Sequence, residues 1–173
     1  MERLWSPWRR AHLEAESQRP TPTGGGTLFE RLANAGDDEA NLIVWRGTHV
    51  FVILNKYPYN NGHVMIVPYR PVTTYQGLTA DEQVEIAGLI GRCMDWLTTA
   101  LYPDGFNVGL NQGTAGGAGV PDHLHLHIVP RWSGDTNFMP VTGGTKVIPE
   151  ALDATYHKIK AAIAAEHAED QSA

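Results

Sequence analysis

The sequence predicts an α+β domain built on a mainly antiparallel sheet. Three observations carry this. Short apolar, β-branched runs come in pairs separated by turn residues, as hairpins do. One long stretch of helical period follows them, and a second closes the chain. Helix and strand alternate too sparsely for a doubly wound parallel sheet. At 173 residues the chain makes one compact domain, with a core that needs no disulfide.

The first 27 residues read as an N-terminal arm and connector. "SQRPTPTGGGT", Ser17 to Thr27, is rich in Pro, Gly, Ser and Thr and cannot pack a core. Residues 28–173 form the domain proper. "LFERLANAG" is a short helix closed by Gly36. "NLIVW" and "HVFVILN" flank "RGT" as a hairpin. "PYNNG" is turn chemistry, and "HVMIVP" is the next strand, stopped by Pro68. Thr79 and Glu82 make a capping box at the head of the long helix. Val84, Ala87, Ile90, Met94, Leu97 and Leu101 are expected to form its buried stripe. Pro103 to Gly105 end it, and "FNVGLNQ" is another strand. Pro149 opens the last helix, with Leu152, Tyr156, Ile159 and Ile163 on one face.

Charge and cysteine usage narrow the function classes. The net charge of −6 disfavours a surface for a nucleic-acid polymer, although a local site can still take a small anion. The one cysteine, Cys93, has no internal partner, which points to a reducing cytoplasm. "MERLWSPWRR" lacks the apolar run of a signal peptide, and no window reaches the roughly 20 apolar residues of a membrane span.

"DHLHLHIVPRW", Asp122 to Trp132, concentrates the chemistry. In an extended chain side chains alternate faces, so His123, His125 and His127 share one face and Leu124, Leu126 and Ile128 the other. The apolar face packs on the helix. The imidazole face admits three readings: a solvated edge, a metal site, or nucleophilic and acid–base chemistry at an anionic centre. The loop "NQGTAGGAGVPD" favours the last. Asn111 and four glycines within seven residues allow backbone N–H groups to approach a phosphate. Trp132, at the strand's exit, is a candidate wall for the phosphate or acceptor site.

These residues resemble the histidine triad family of nucleotide hydrolases and transferases. "HLHLHIV" matches its His-x-His-x-His-x-x signature, "FVILNKYPYNNGHVMIVPYRPV" its strand, turn and Gly-His strand, and "FNVGLNQGTAGGAG" its phosphate loop. The likeness spans about Leu28 to Pro140. "RLWSPWR" and "HIVPRWSGDTNFMPV" look like the bacterial branch that includes diadenosine tetraphosphate phosphorylases. The resemblance implies a five-stranded antiparallel sheet with helices, paired as a homodimer. It implies His125 as the nucleophile toward the α-phosphorus, giving a nucleotidyl-histidine. His123 and His127 would bind phosphoryl oxygens, orient the ring and help protonate the leaving group. Asn55 would bond the ribose, Asn111 and the loop glycines Gly117 and Gly119 the phosphates, and His63 would edge the site or pack beneath it.

Two departures shape the expected activity. Ala118-Gly119 stands where many relatives carry a polar loop side chain, which leaves phosphorolysis open beside hydrolysis. "TLFE", Thr27 to Glu30, stands where zinc-binding relatives carry Cys-x-x-Cys, so neither metal nor cofactor is expected, although His49 occupies a possible ligand position. The expected activity is phosphorolysis of diadenosine tetraphosphate by inorganic phosphate. The rivals are a hydrolase of dinucleoside polyphosphates or phosphoramidates, a slow nucleotide-binding regulatory module, and a metal-dependent β protein.

Overall fold

The structure is a computed structural model that describes residues 25–136 and 150–170. The arm and most of its connector, and Pro149 as a helix opener, lie outside the described residues. Helix α1 spans Leu28–Asn34, α2 Ala80–Leu101 and α3 Leu152–Asp170. The strands are β1 Ile43–Arg46, β2 Val50–Leu54, β3 Val64–Pro68, β4 Gly105–Leu110 and β5 Leu126–Arg131. They form one five-stranded sheet in the order β1-β2-β3-β5-β4, and each neighbouring pair is antiparallel.

Strict alternation along the central strands divides the core into two layers. Val50, Val52, Leu54, Val64, Ile66 and Ile128 face α2 and α3. Phe51, Ile53, Met65 and Val67 face the other way and pack with Phe29 of α1. Phe51 is fully buried, and truncating such a ring costs about 3–5 kcal/mol. The histidines point to this second layer, so they sit between the sheet and α1.

Helix α2 begins where its sequence dictates. Thr79 caps α2 through the expected box with Glu82, and Tyr102 closes it in the left-handed region. The expected buried stripe of α2 is corrected. Val84 is 72% exposed and Ala87 is exposed, while Ile86, Leu89, Cys93, Trp96 and Leu97 are buried. The helix carries two apolar stripes, and the one that includes the large Trp96 ring turns to the sheet. Arg92 lies over the rings of both Trp45 and Trp96 and pairs with Glu166 of α3 at 2.8 Å. This fastens the two helices to β1.

Candidate active site

Two of the three histidines enter the site from an irregular lead into β5, and His127 is the second residue of the strand itself. The ladders of β5 with β3 and β4 both stop at Leu126. His123 lies ahead of that point at a bend, and His125 in irregular chain. Leu124, between them, donates its N–H to the Val72 carbonyl at 2.6 Å, and its side chain joins the α2 layer. Alternation therefore persists beyond the sheet, and the three imidazoles still share one side. All three are buried.

Their hydrogen bonds assign each ring a tautomer, because backbone groups have fixed polarity. The His123 carbonyl can only accept, so His125 Nδ1, 2.8 Å away, carries the proton. His125 Nε2 is then a free lone pair. The Tyr59 backbone N–H can only donate, and it meets His63 Nδ1 at 3.0 Å. The Asn55 amide nitrogen approaches the same atom at 3.3 Å, while its Oδ1 accepts the Tyr57 N–H at 2.9 Å. His63 Nε2 therefore bears the proton and donates it to His127 Nδ1 at 2.9 Å. His127 is left with an N–H at Nε2. That nitrogen is the one buried side-chain polar atom among the described residues without a hydrogen-bond partner. An unmet buried donor costs about 1–3 kcal/mol, which a bound oxygen would recover.

Burial keeps the rings neutral. It lowers the proton affinity of His123 and His125 below the ordinary imidazole value. Burial, with the neighbouring His125, pushes His127 down to about 4. The His125 and His127 rings meet edge-on at 4.8 Å. The site thus offers a lone pair beside an N–H: a nucleophile and a donor for an anionic oxygen. Cys93 offers no rival, because burial pushes its thiol well above the usual range.

His125 and His127 open into a cavity of about 420 Å³, within the size range of small-molecule sites. Leu28, Phe29, Leu32, Leu42 and Ile53 give it apolar walls. Asn55, Lys56, Tyr57, Tyr59 and Gly119 supply its polar rim. Phe29 stands over both His123 and His125 at centroid distances of 5.4 and 5.2 Å. Tyr59 lies over His63 at 4.6 Å and His127 at 5.4 Å. The turn before His63 is itself held, since Asn60 donates to the Pro130 carbonyl at 3.1 Å and to Asp135 at 2.8 Å. Gly62 has φ +70°, and the Leu101, Leu97 and Pro130 side chains fill the space a Cβ would need.

Several expected site residues lie away from the cavity or bond elsewhere. His123 does not line the cavity: Nε2 donates to the Pro68 carbonyl at 2.8 Å, and Nδ1 lies 2.6 Å from the Thr27 hydroxyl. Both of its ring nitrogens are engaged. Asn111 turns inward, with its amide 3.4 Å from the Gly117 carbonyl, and neither residue lines the cavity. The glycine loop uses the N–H groups of Gly116, Gly117 and Ala118 to close its own turn; only Gly119 and Val120 reach the cavity wall from this segment. Gly116 has no room for a side chain, since a Cβ would stand 2.4 Å from the Gln112 carbonyl oxygen. Trp132 sits at the far end of β5, where its indole N–H donates to the Tyr102 carbonyl at 3.1 Å. The rings of the triad do not converge on a common point as metal ligands would. Among the described residues, the group with ligand atoms mutually within 4.8 Å is Glu39, Asp153 and His157, all at the surface. His49 stands apart from that group, and its backbone N–H donates to Glu85. Residues that the sequence reading did not single out are Thr27, Phe29, Leu42, Lys56 and Tyr59. Of these, Thr27 had a legible signal, the Thr-x-x-Glu box with Glu30.

Fold and site together define a class: a five-stranded antiparallel α+β domain with a histidine triad leading into a central strand. A family model described as the HIT domain matches residues 38–134, more than half of the chain, which therefore belongs to the HIT, or histidine triad, family. The chain is 40% identical over 158 residues to the AP-4-A phosphorylase of Mycobacterium tuberculosis, covering 90% of this chain and 80% of that one. It is 34% identical over 94 residues to a bis(5'-adenosyl)-triphosphatase of Saccharomyces cerevisiae, covering 52% of this chain and 44% of that one. Among solved structures, a zinc-bound histidine triad family protein from Mycobacterium smegmatis superposes with a TM-score of 0.68 at 19% identity, covering 83% of this chain and 97% of that one. That last likeness is one of fold.

Proposed function

We propose that this chain is a nucleotidyl-transferring enzyme that cleaves dinucleoside polyphosphates, and that it passes the nucleotidyl group to inorganic phosphate. The observation that carries the reading is the pairing of the His125 Nε2 lone pair with the orphan His127 Nε2–H in one cavity. The likeness to an AP-4-A phosphorylase along most of both chains supports the choice of substrate and acceptor.

In the first step His125 Nε2 attacks the α-phosphorus of diadenosine tetraphosphate. The bond from that phosphorus to the bridging oxygen breaks, ATP leaves, and adenylyl-His125 remains. The His127 N–H donates to a phosphoryl oxygen as negative charge builds there. Proton transfer to the departing oxygen is not required at neutral pH, because a polyphosphate leaves as an anion. In the second step an oxygen of inorganic phosphate attacks the same phosphorus, the P–N bond breaks, and ADP leaves with His125 restored. Water in place of phosphate would give AMP. Asn55 would meet the ribose, and the apolar walls from α1, Leu42 and Ile53 would take a base.

Two broader readings accompany this one. β4 is a sheet edge with Asn107, Val108 and Gly109 exposed, which supports a homodimer paired along that edge. A lone buried cysteine supports a reducing cytoplasm; no described helix is long and apolar enough to cross a membrane. The deciding experiment is product analysis on diadenosine tetraphosphate with and without phosphate. ATP plus ADP, with ADP formation saturating in phosphate, is the expected result. ATP plus AMP at millimolar phosphate would overturn the phosphorylase reading.

A further inference from the structure

We propose that Thr27 is a positioning residue for the nucleophile, acting through His123 to align His125. The inference rests on the nucleotidyl-His125 reading. Thr27 is the N-cap of α1: its hydroxyl accepts the Glu30 N–H at 3.3 Å, and its own N–H donates to Glu30 Oε2 at 2.7 Å. That box uses one lone pair of the hydroxyl oxygen and leaves its proton. The proton has one destination among the contacts of this residue, the His123 Nδ1 atom 2.6 Å away and 96 residues along the chain.

The consequences follow in order. His123 Nε2 faces the Pro68 carbonyl, which can only accept, so that nitrogen is protonated and Nδ1 is bare. The Thr27 hydroxyl satisfies that bare nitrogen in a fully buried ring. With both nitrogens bonded, the ring cannot rotate, and the backbone that carries it is fixed. The same residue's carbonyl accepts the His125 Nδ1–H. The side chain of His123 thus holds the backbone oxygen that sets the tautomer and the aim of His125. The chain of contacts runs from Thr27 to His123 to His125 and ends at the attacking nitrogen. α1 closes the arrangement, because Leu28, Phe29 and Leu32 line the cavity and Phe29 rests on both rings.

A cap that only stabilised α1 would behave differently from one that aims the nucleophile. Losing helix position would move the cavity wall and raise KM. Losing the His123 bond would slow attack at an unchanged wall. Misplacement of a reacting group by about 1 Å can cost roughly 100-fold.

The test compares Thr27→Val, Thr27→Ser and Glu30→Ala in the full chain. Single-turnover adenylylation of His125 is followed by mass spectrometry with diadenosine tetraphosphate and no phosphate. Thr27→Val is expected to slow labelling by roughly 10- to 100-fold with KM within about 2-fold. Thr27→Ser, which keeps the hydroxyl, should restore the rate. Glu30→Ala, which breaks the reciprocal cap bond only, should lower melting temperature without slowing labelling. Imidazole nitrogen NMR gives a readout independent of turnover: Thr27→Val should shift the His123 Nδ1 and His125 Nε2 resonances. Labelling at the wild-type rate in Thr27→Val, or an equal loss in Glu30→Ala, would overturn the proposal. Failure of the wild type to label would instead refute the covalent intermediate, and an unchanged NMR spectrum in Thr27→Val would then sink the Thr27 link as well.

Discussion

Replacing His63 with Phe should cripple the reaction without emptying the cavity. His63 is fully buried and does not itself line the cavity, so a ring of similar size fills its place beneath Tyr59. What disappears is a single N–H aimed at His127 Nδ1 over 2.9 Å. The Tyr59 N–H and the Asn55 amide also lose their acceptor. Each stranded buried group costs about 1–3 kcal/mol, so the variant should melt earlier yet still fold. The catalytic effect is larger. Without a donor at Nδ1, the His127 proton can move to that atom, and Nε2 then turns a lone pair toward the phosphoryl oxygens. Removing one donor from an oxyanion site typically costs about 100- to 1,000-fold in kcat. The same fall is expected here, with KM little changed. His63→Gln is the control, since its amide oxygen can accept from Tyr59 while its NH2 donates to His127; it should recover most of the rate. Steady-state kinetics with chromatographic separation of nucleotides measures both variants, and circular dichroism checks the fold. A folded His63→Phe enzyme within about 3-fold of wild type would refute the reasoning, since the expected loss is far larger. Equal inactivity of His63→Gln would show that the ring matters and not its proton.

Four further outcomes follow from the structure. His125→Asn should lose roughly 10,000-fold or more in kcat, as enzymes do without their nucleophile, and should show no adduct by mass spectrometry. Activity should be flat through neutral pH and fall on an acid limb below 6.5, because burial lowers the His125 pKa and protonation removes its lone pair; a limb centred above 7 would contradict a buried neutral nucleophile. The sign for stability is the same: the unfolded chain takes up protons near 6.5 that the buried folded rings refuse, so stability falls as pH drops through that value. Glu166→Gln should cost about 1 kcal/mol at pH 7, discounted for partial exposure, because Glu166 joins Arg92 and the Trp96 indole. Arg92 holds the Glu166 carboxyl below its ordinary value of 4.5, so the deficit should be full above that pH and vanish as the wild-type group protonates below it, which denaturant melts across pH would read.

Much of the frame was legible because local rules sufficed. β-Branched runs around Gly47 and Asn60-Asn61-Gly62 gave the β1–β2 and β2–β3 connections, and Thr79 with Glu82 marked the start of α2. The buried stripe of α2 was not legible, since Val84-Ala87-Ile90 and Ile86-Leu89-Cys93 both follow helical spacings of three and four. Only the positions of the sheet and α3 choose between them. The bonding of the glycine loop was hidden for a related reason. Composition suggests free N–H groups, but a tight turn uses them to close itself, as Gly116, Gly117 and Ala118 do.

The triad shows how far a motif alone can speak. Its spacing of two put three imidazoles on one side, yet the rings are not equivalent. The outer two are defined by partners distant in sequence: Thr27 and Pro68 for His123, His63 for His127. The middle ring is defined by the motif's own backbone, and this requires the ladder to end early. Were His123 inside the sheet, its carbonyl would serve a neighbouring strand. Because pairing stops at Leu126, the carbonyl is directed at His125 Nδ1 instead. The irregular lead into β5 is therefore what separates a ring bonded at both nitrogens, a ring with an open lone pair and a ring with an unmet N–H within five residues.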